Sequence, residues 1–292
     1  MSTQTGAPTE PLTPDLRAKI VPPARRQAGL AEELLLHSAN AAVIVSKVGQ
    51  VRSEYRNEAR VFAREMAKHV NARQAGNATA FVYEETFGTE DRLHWLIHLR
   101  SLDVYYRMVE MGDQDRAYRE SLTQERVQTD DGAKAWDRLF VDGSLHSSVL
   151  LPCRPTIGTS ESDGAEPIAA DQTGQAPEEM LHSASAGIVL HRVAQIVPGA
   201  GYRARAFAAE QAETVNKQFA GEVTVFRYEE AFGPVGRLHW LLHLRDLTSY
   251  RRLLDAPQWH IETTAAELFV PGSVTDTALT PHHWGLYGTK EA

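Results

Sequence analysis

The sequence has a single cysteine, Cys153, in 292 residues. No intramolecular disulfide can form, and cysteine-rich zinc sites are excluded. No apolar run is long enough to span a bilayer. The stretch from Met1 to Pro14 is polar and Pro/Thr-rich, without the apolar segment of a secretory signal. A basic excess is missing as well: 38 acidic side chains against 30 basic ones give a formal charge of -8, whereas nucleic-acid binding ordinarily shows a basic patch or stripe. No glycine-rich phosphate loop follows a strand pattern, and no Gly-x-Ser-x-Gly elbow is present. The remaining composition, 42% hydrophobic and 23% charged, is that of an ordinary globular chain. A soluble, cytoplasmic protein with no nucleic-acid or membrane partner is expected.

What the sequence does contain is a repeat. Glu33–Val109 aligns without a gap on Glu178–Leu254 at an offset of 145, with roughly half the positions identical. The best-matched segment is Tyr83-Glu84-Glu85, Phe87-Gly88, Arg92-Leu93-His94-Trp95-Leu96 and His98-Leu99-Arg100. Its second copy is Tyr228-Glu229-Glu230, Phe232-Gly233, Arg237-Leu238-His239-Trp240-Leu241 and His243-Leu244-Arg245. The match resumes at Leu139–Ser144 and Leu268–Ser273 with an offset of 129, so the first copy carries 16 extra residues between Met111 and Ala133. The expected organisation is a flexible N-terminal segment (1–31), a first repeat (32–152), a Pro/Gly/Ser-rich linker (153–176), a second repeat (177–281) and a tail (282–292).

Each copy reads the same way. Ala41–Val48 and Ala186–Val193 are β-branched runs of strand length. Glu54–Gln74 has the i, i+3, i+4, i+7 apolar spacing of a helix, and Gly76 (repeated as Gly221) sits where a terminating glycine belongs. Thr79–Thr86 and Leu93–Leu99 predict a hairpin. Asp103–Met111 and Lys134–Phe140 predict helices, and Ser144–Leu151 a closing strand. The fold class expected is α+β, as two tandem ferredoxin-like β-α-β-β-α-β repeats.

In a strand, alternate residues share a face. His94, Leu96, His98 and Arg100 then point one way and the apolar Leu93, Trp95, Ile97 and Leu99 the other. The first set, with His239, Leu241, His243 and Arg245, predicts a polar, titratable interior in which histidine can move a proton near neutral pH. His94 and His98 are about 13 Å apart on a regular strand at ~3.3 Å per residue, too far to chelate one ion, and no metal is expected. If positions summing to 179 are opposite in the hairpin, Glu85 faces His94; if 178, Glu84 does. Either carboxylate would orient the ring and raise its basicity; the alternative is an ordinary pair with Arg92 or Arg100. Tyr83, Tyr228, Phe81 and Phe226 add an aromatic lining or core. His37 and His182 precede the first strand of each copy and are placed to close a barrel mouth. His282-His283-Trp284 has no counterpart in the first copy. The copies differ at Ser46/His191, Val82/Arg227 and Tyr106/Arg251.

A duplicated unit with this hairpin motif resembles the dimeric α+β barrel superfamily, and is similar to tandem actinobacterial members of unknown function. The resemblance implies two ferredoxin-like sheets closed into one barrel with helices outside. It also implies relatedness to antibiotic-biosynthesis monooxygenases, anthrone oxygenases and polyketide cyclases. The expected function is therefore a small-molecule enzyme of secondary metabolism, a cofactor-independent oxygenase or a cyclase, acting on an aromatic polyketide-like substrate in the lumen. In that reading His94 or His239 is the base, oriented by Glu85 or Glu230. His98 or His243 is the acid, Arg100 or Arg245 stabilises an enolate, and Tyr83, Tyr228, Phe81, Phe226, His37 and His182 line the substrate. Alternatives are a barrel holding haem through one histidine, or a non-catalytic module for a hydrophobic ligand. Homo-oligomers are compatible with each.

Overall fold

A computed structural model describes residues 23–129, 132–154, 167–261 and 265–282. Its strands are β1 (Val43–Gln50), β2 (Ala78–Phe87), β3 (Arg92–Leu99), β4 (Val127–Thr129), β5 (Gly132–Lys134), β6 (His146–Pro152), β7 (Ile188–Gln195), β8 (Val223–Glu230), β9 (Arg237–Leu244) and β10 (Thr275–Pro281). Its main helices are α1 (Arg56–Arg73), α2 (Asp103–Gln114), α3 (Arg116–Thr123), α4 (Gly201–Gln218) and α5 (Leu247–Leu254). Eight strands close into an antiparallel barrel in the order β1-β3-β2-β10-β7-β9-β8-β6. Within each half the closing strand lies beside the first (β6 on β1, β10 on β7), and β2–β10 and β8–β6 join the halves.

Alternation along the strands separates two environments. Outward-facing Leu93, Trp95 and Leu99 pack with Phe62, Ala63, Ala67 and Val70 of α1. Trp240, Leu242 and Leu244 do the same against α4. Inward-facing Ile44, Phe81, Tyr83, Leu96, Leu150, Val189, Phe226, Tyr228, Leu241 and Leu279 form a separate, fully buried cluster. An eight-stranded barrel is just wide enough for side chains to fill, and here the middle of the lumen is a packed apolar layer. The polar, titratable interior expected from the inward histidines is therefore restricted: the buried middle is apolar, and the polar residues lie at its two ends.

Several expected elements differ. Lys134–Phe140 is not a helix; β5 ends at Lys134, and a single 3-10 turn covers Trp136–Leu139. The 16 extra residues of the first copy fall in the region that holds α3 and the β4–β5 ribbon. The segments read as a flexible N-terminus and a linker contain built structure. Ala24 and Ala169 are fully buried, and Gln27 and Gln172, again 145 apart, perform the same task. The Gln27 side-chain amide accepts from Val82 N–H (2.8 Å) and donates to Val82 C=O (2.9 Å). Gln172 does so for Arg227 (2.8 and 2.8 Å). Each satisfies a buried backbone N–H of β2 or β8, where an unpaired amide is costly, and shares the carbonyl with the N–H of His282 or Cys153 just beyond the neighbouring strand (2.9 Å each). Gln27→Ala is expected to destabilise the fold by about 1–3 kcal/mol, the penalty of a stranded buried group. Urea denaturation checks this, with Gln27→Glu as the comparison that keeps the acceptor.

Helix and sheet are also stapled. Buried Asn71 on α1 accepts from Ala80 N–H (2.6 Å) and donates to Ala80 C=O (3.0 Å); Asn216 repeats this at Val225. Among the described residues no helix is long and apolar enough to cross a membrane.

Candidate functional site

The hairpin register decides which carboxylate meets His94. Tyr83 lies opposite His94 and Glu84 opposite Leu93, so paired positions sum to 177 and neither expected register holds. The β2–β3 turn is two residues longer than the tighter expected register allows. Glu85 is therefore one step along the strand from Tyr83 on the inward face. Its Oε2 lies 3.3 Å from Arg92 and 3.6 Å from His94 Nε2. Glu84 faces outward, where Arg60 of α1 grips it through two hydrogen bonds (3.0 and 2.9 Å) and His282 contacts it. Glu229 is likewise held by Arg205 of α4. His282 thus joins the outer face; His283 and Trp284 lie outside the described residues.

At this first mouth the two halves bring together Glu85, Arg92 and His94 with Glu230, Arg237 and His239. Glu230 Oε2 is 3.1 Å from Arg237 and 3.5 Å from His239 Nε2. Both histidines are more than nine-tenths buried, and the Nε2 of each has no hydrogen-bond partner. Burial alone would raise the Glu85 carboxyl, but His94, the Thr89 N–H (3.0 Å) and Arg92 together hold it below its ordinary range. Gly88, at φ +118°, makes this possible, because a Cβ there would stand 2.2 Å from Glu85 Oε1. In the second half Pro234 replaces Thr89 and offers no N–H; the Ser148 hydroxyl donates to Glu230 instead (3.0 Å).

The mouth is not symmetric. His191 stands where the first half has Ser46, and its Nε2 is 2.9 Å from His239 Nδ1. Burial, then the charge of Arg237, lowers His239 to about 4. His191 is lowered by burial, by His239 and by His94. His239 is thus neutral and commits its Nδ1 to a histidine pair, whereas His94 makes no hydrogen bond; each ring also faces a carboxylate, Glu230 or Glu85. Sequence reasoning noted the Ser46/His191 difference without placing it against His239.

The opposite mouth gathers the other predicted residues into a closed lock. Ser38 N–H donates to Ser183 Oγ and Ser183 N–H to Ser38 Oγ, both at 3.0 Å. Ser183 Oγ is 2.9 Å from His98 Nε2, and Ser38 Oγ 2.9 Å from His243 Nε2. His98 Nδ1 lies 3.3 Å from the Thr79 carbonyl and His243 Nδ1 3.3 Å from that of Thr224. A carbonyl only accepts, so Nδ1 carries the proton and Nε2 accepts from the serine hydroxyl. Tyr83 Oη donates to Ser183 C=O (2.7 Å) and Tyr228 Oη to Ser38 C=O (2.8 Å). His37 and His182 stack face to face, centroids 3.6 Å apart. Each bond from Ser38 or Ser183 to a histidine or tyrosine crosses between halves. Sequence reasoning missed both serines; their signal is that each directly follows one of the repeated histidines, His37 or His182.

Three expected roles are corrected by this geometry. His98 and His243 are fully buried, hold both ring nitrogens in hydrogen bonds and lie at the end of the lumen away from His94, so they cannot serve as its partner acid. Arg100 and Arg245 are exposed past the strand ends, where they donate to the carbonyls of Gly76 and Gly221; Arg92 and Arg237 occupy the site in their place. Phe81, Phe226, Tyr83 and Tyr228 are core, leaving no lumen space beside them for substrate. His98 and His243 offer no free ring nitrogen to a haem iron, and the middle of the lumen is filled by side chains. Among the described residues no group of three or more His, Cys, Asp or Glu side chains is arranged to hold a metal ion.

Comparison with solved structures shows the fold. A candidate monooxygenase from Fusobacterium nucleatum subsp. nucleatum superposes with a TM-score of 0.54 at 9% identity, over 82% of this chain and 92% of that one. Chlorite dismutase from Candidatus Nitrospira defluvii (TM-score 0.46, 11% identity, 82% and 92% covered) and an anthrone oxidase-like protein (0.46, 11%, 85% and 94%) are more distant. No curated protein matches the chain. A family model matches residues 14–287, nearly the whole chain, and the protein belongs to the family of unknown function DUF6039.

Proposed function

We propose that the protein is a small-molecule enzyme of the oxygenase or cyclase kind, working by proton transfer at the first barrel mouth. We also infer that the barrel is a tandem pair of ferredoxin-like units. The observation that carries the functional reading is His94: buried, without a hydrogen bond, and 3.6 Å from the Glu85 carboxylate. An imidazole beside an ionised carboxylate is suited to take an acidic proton, because the imidazolium so formed is stabilised by the carboxylate. Arg92, about one-third exposed beside Glu85, and Arg237 beside Glu230 are the cations available to stabilise a developing oxyanion. The neutral His191–His239 pair forms the facing wall. The substrate class that suits this set is an aromatic, polyketide-like molecule with an acidic C–H or phenol, seated at the mouth rather than threaded through the filled lumen. The resulting carbanion would react with dioxygen or close onto a carbonyl.

The test is turnover of anthrones and 1,3-dicarbonyl polyketide mimics, followed by oxygen uptake and product analysis. His94→Ala is expected to lower kcat by about 10²–10⁴-fold, the usual contribution of a positioned base, with an unchanged circular dichroism spectrum. Arg100→Ala is expected to leave kcat unchanged. Full activity in His94→Ala would remove the reading.

A further inference from the structure

On the outer side of the sheet, the first half holds a cleft. It has a volume of about 120 Å³ and lies between β1–β3 and helices α1–α3, lined among others by Phe62, Met66, Trp95, Tyr118 and Trp136. The one cation in this apolar lining is Lys47, whose Nζ stands 5.6 Å from the Trp136 ring centroid. Among the described residues no carboxylate pairs with it, and burial lowers its ammonium from the ordinary lysine value.

The same chain shows what this position looks like when complete. The counterpart of Lys47 is Arg192, and the residue opposite it on the closing strand is Asp276; in the first half that opposite residue is Ser147. Arg192 makes a two-pronged pair with Asp276 (2.7 and 2.7 Å), donates to the Trp259 carbonyl (2.9 Å) and stacks 3.8 Å from the centroid of the Trp259 ring, which is itself buried. Cation, carboxylate and aromatic plane are thus all supplied by the protein. In the first half the carboxylate is missing and there is space beside the cation. A half-buried ammonium without a counter-charge is unfavourable, and a site of this kind is satisfied by a molecule that brings the missing groups.

We propose that this cleft binds a single-ring aromatic molecule carrying one anionic group, a carboxylate or phenolate, with Lys47 as its counter-ion and the Trp95 and Trp136 indoles against its ring. At about 120 Å³ the cleft is somewhat smaller than the ~150 Å³ apolar cavity that holds benzene, so it admits no more than one ring. The site is on the opposite side of the sheet from His94 and stands independently of the proton-transfer reading.

Benzoate is the probe, with benzyl alcohol as its uncharged counterpart, each titrated to millimolar concentration while the tryptophan indole N–H signals are followed by NMR. Benzoate is expected to shift the indole signals and to bind more tightly than benzyl alcohol. Lys47→Met, which keeps the length and loses the charge, is expected to weaken benzoate by at least about tenfold, the scale of a charge-assisted hydrogen bond, and to leave benzyl alcohol within about twofold. The double change Lys47→Arg/Ser147→Asp imports the pair of the second half and is expected to abolish benzoate binding while raising the melting temperature. Equal binding of the two probes, unchanged benzoate affinity in Lys47→Met, or no binding of benzoate at millimolar concentration would each overturn the proposal. A Lys47→Met variant that fails to fold leaves the decision to the double variant, in which retained benzoate binding would also overturn it.

Discussion

Lowering the pH from 7 to 5 is expected to cost the fold about 4 kcal/mol from His98 and His243 alone. Burial is the leading cause that brings both to about 3, against an ordinary value of 6.5, so the folded state keeps them neutral while the unfolded chain protonates them. The stability they confer is complete above pH 6.5 and is lost progressively as the pH falls toward about 3. At pH 5 the unfolded chain is favoured by one and a half pH units at each site, about 2 kcal/mol apiece. Typical domain stabilities are about 5–15 kcal/mol, so the effect is a large share of the whole. His182 and His239, each brought to about 4 chiefly by burial, act in the same direction. Glu84, which burial alone would raise but which His282 and Arg60 hold well below its ordinary range, keeps its stabilising contribution above about pH 4.5 and loses it only below that, so measurement between pH 5 and 7 isolates the histidines. Urea midpoints across that range provide the check. His98→Gln/His243→Gln, which can still donate to the Thr79 and Thr224 carbonyls, is expected to flatten the slope. A wild-type midpoint independent of pH over this interval would contradict the assignment of neutral, entombed imidazoles.

The second large effect is at the serines. Removing the Ser183 hydroxyl strands two buried groups at once, the His98 Nε2 acceptor and the Ser38 N–H donor. Each stranded group costs about 1–3 kcal/mol, so Ser183→Ala is expected to lose about 2–6 kcal/mol. Ser38→Ala should match it through His243 and the Ser183 N–H. Because the serines bond one another reciprocally, the double variant is expected to depart from the sum of the singles, as coupled neighbours do. A double-mutant cycle in urea measures this. Singles near zero, or strict additivity, would mean that water or relaxation replaces the lock. Since the hydroxyls hold His98 on β3 and His243 on β9 from the opposite half, their loss should appear as earlier hydrogen exchange at β3 and β9.

Much of the architecture was written locally. Period-two alternation in Leu93–Arg100 separated the inward histidines from the outward Trp95, because pleating alone sets that division. The hairpin, the long α1 and α4 and the resemblance-based barrel followed from similarly short-range patterns. Register was different. It depends on how many residues the β2–β3 turn absorbs, and a shift of that size moved Tyr83 opposite His94 and sent Glu84 to the helices. Arg100 failed as a lumen residue for a related reason: the strand ends at Leu99, and the backbone turns before the arginine.

The sequence by itself determined the internal match at an offset of 145, the two environments of each strand and the identity of the titratable side chains, since these depend on residue type and spacing. The tertiary structure decided what the histidines do, because that depends on partners from the other half of the chain. Ser183 reaches His98 across 85 positions, and His191 fixes His239 across 48. The same holds for Lys47, whose missing carboxylate became visible only when β6 was laid beside β1 and Ser147 was found where β10 presents Asp276. Closing the barrel made one set of imidazoles a sealed lock and left His94 at the mouth without a hydrogen bond, through burial and distance that no single segment encodes.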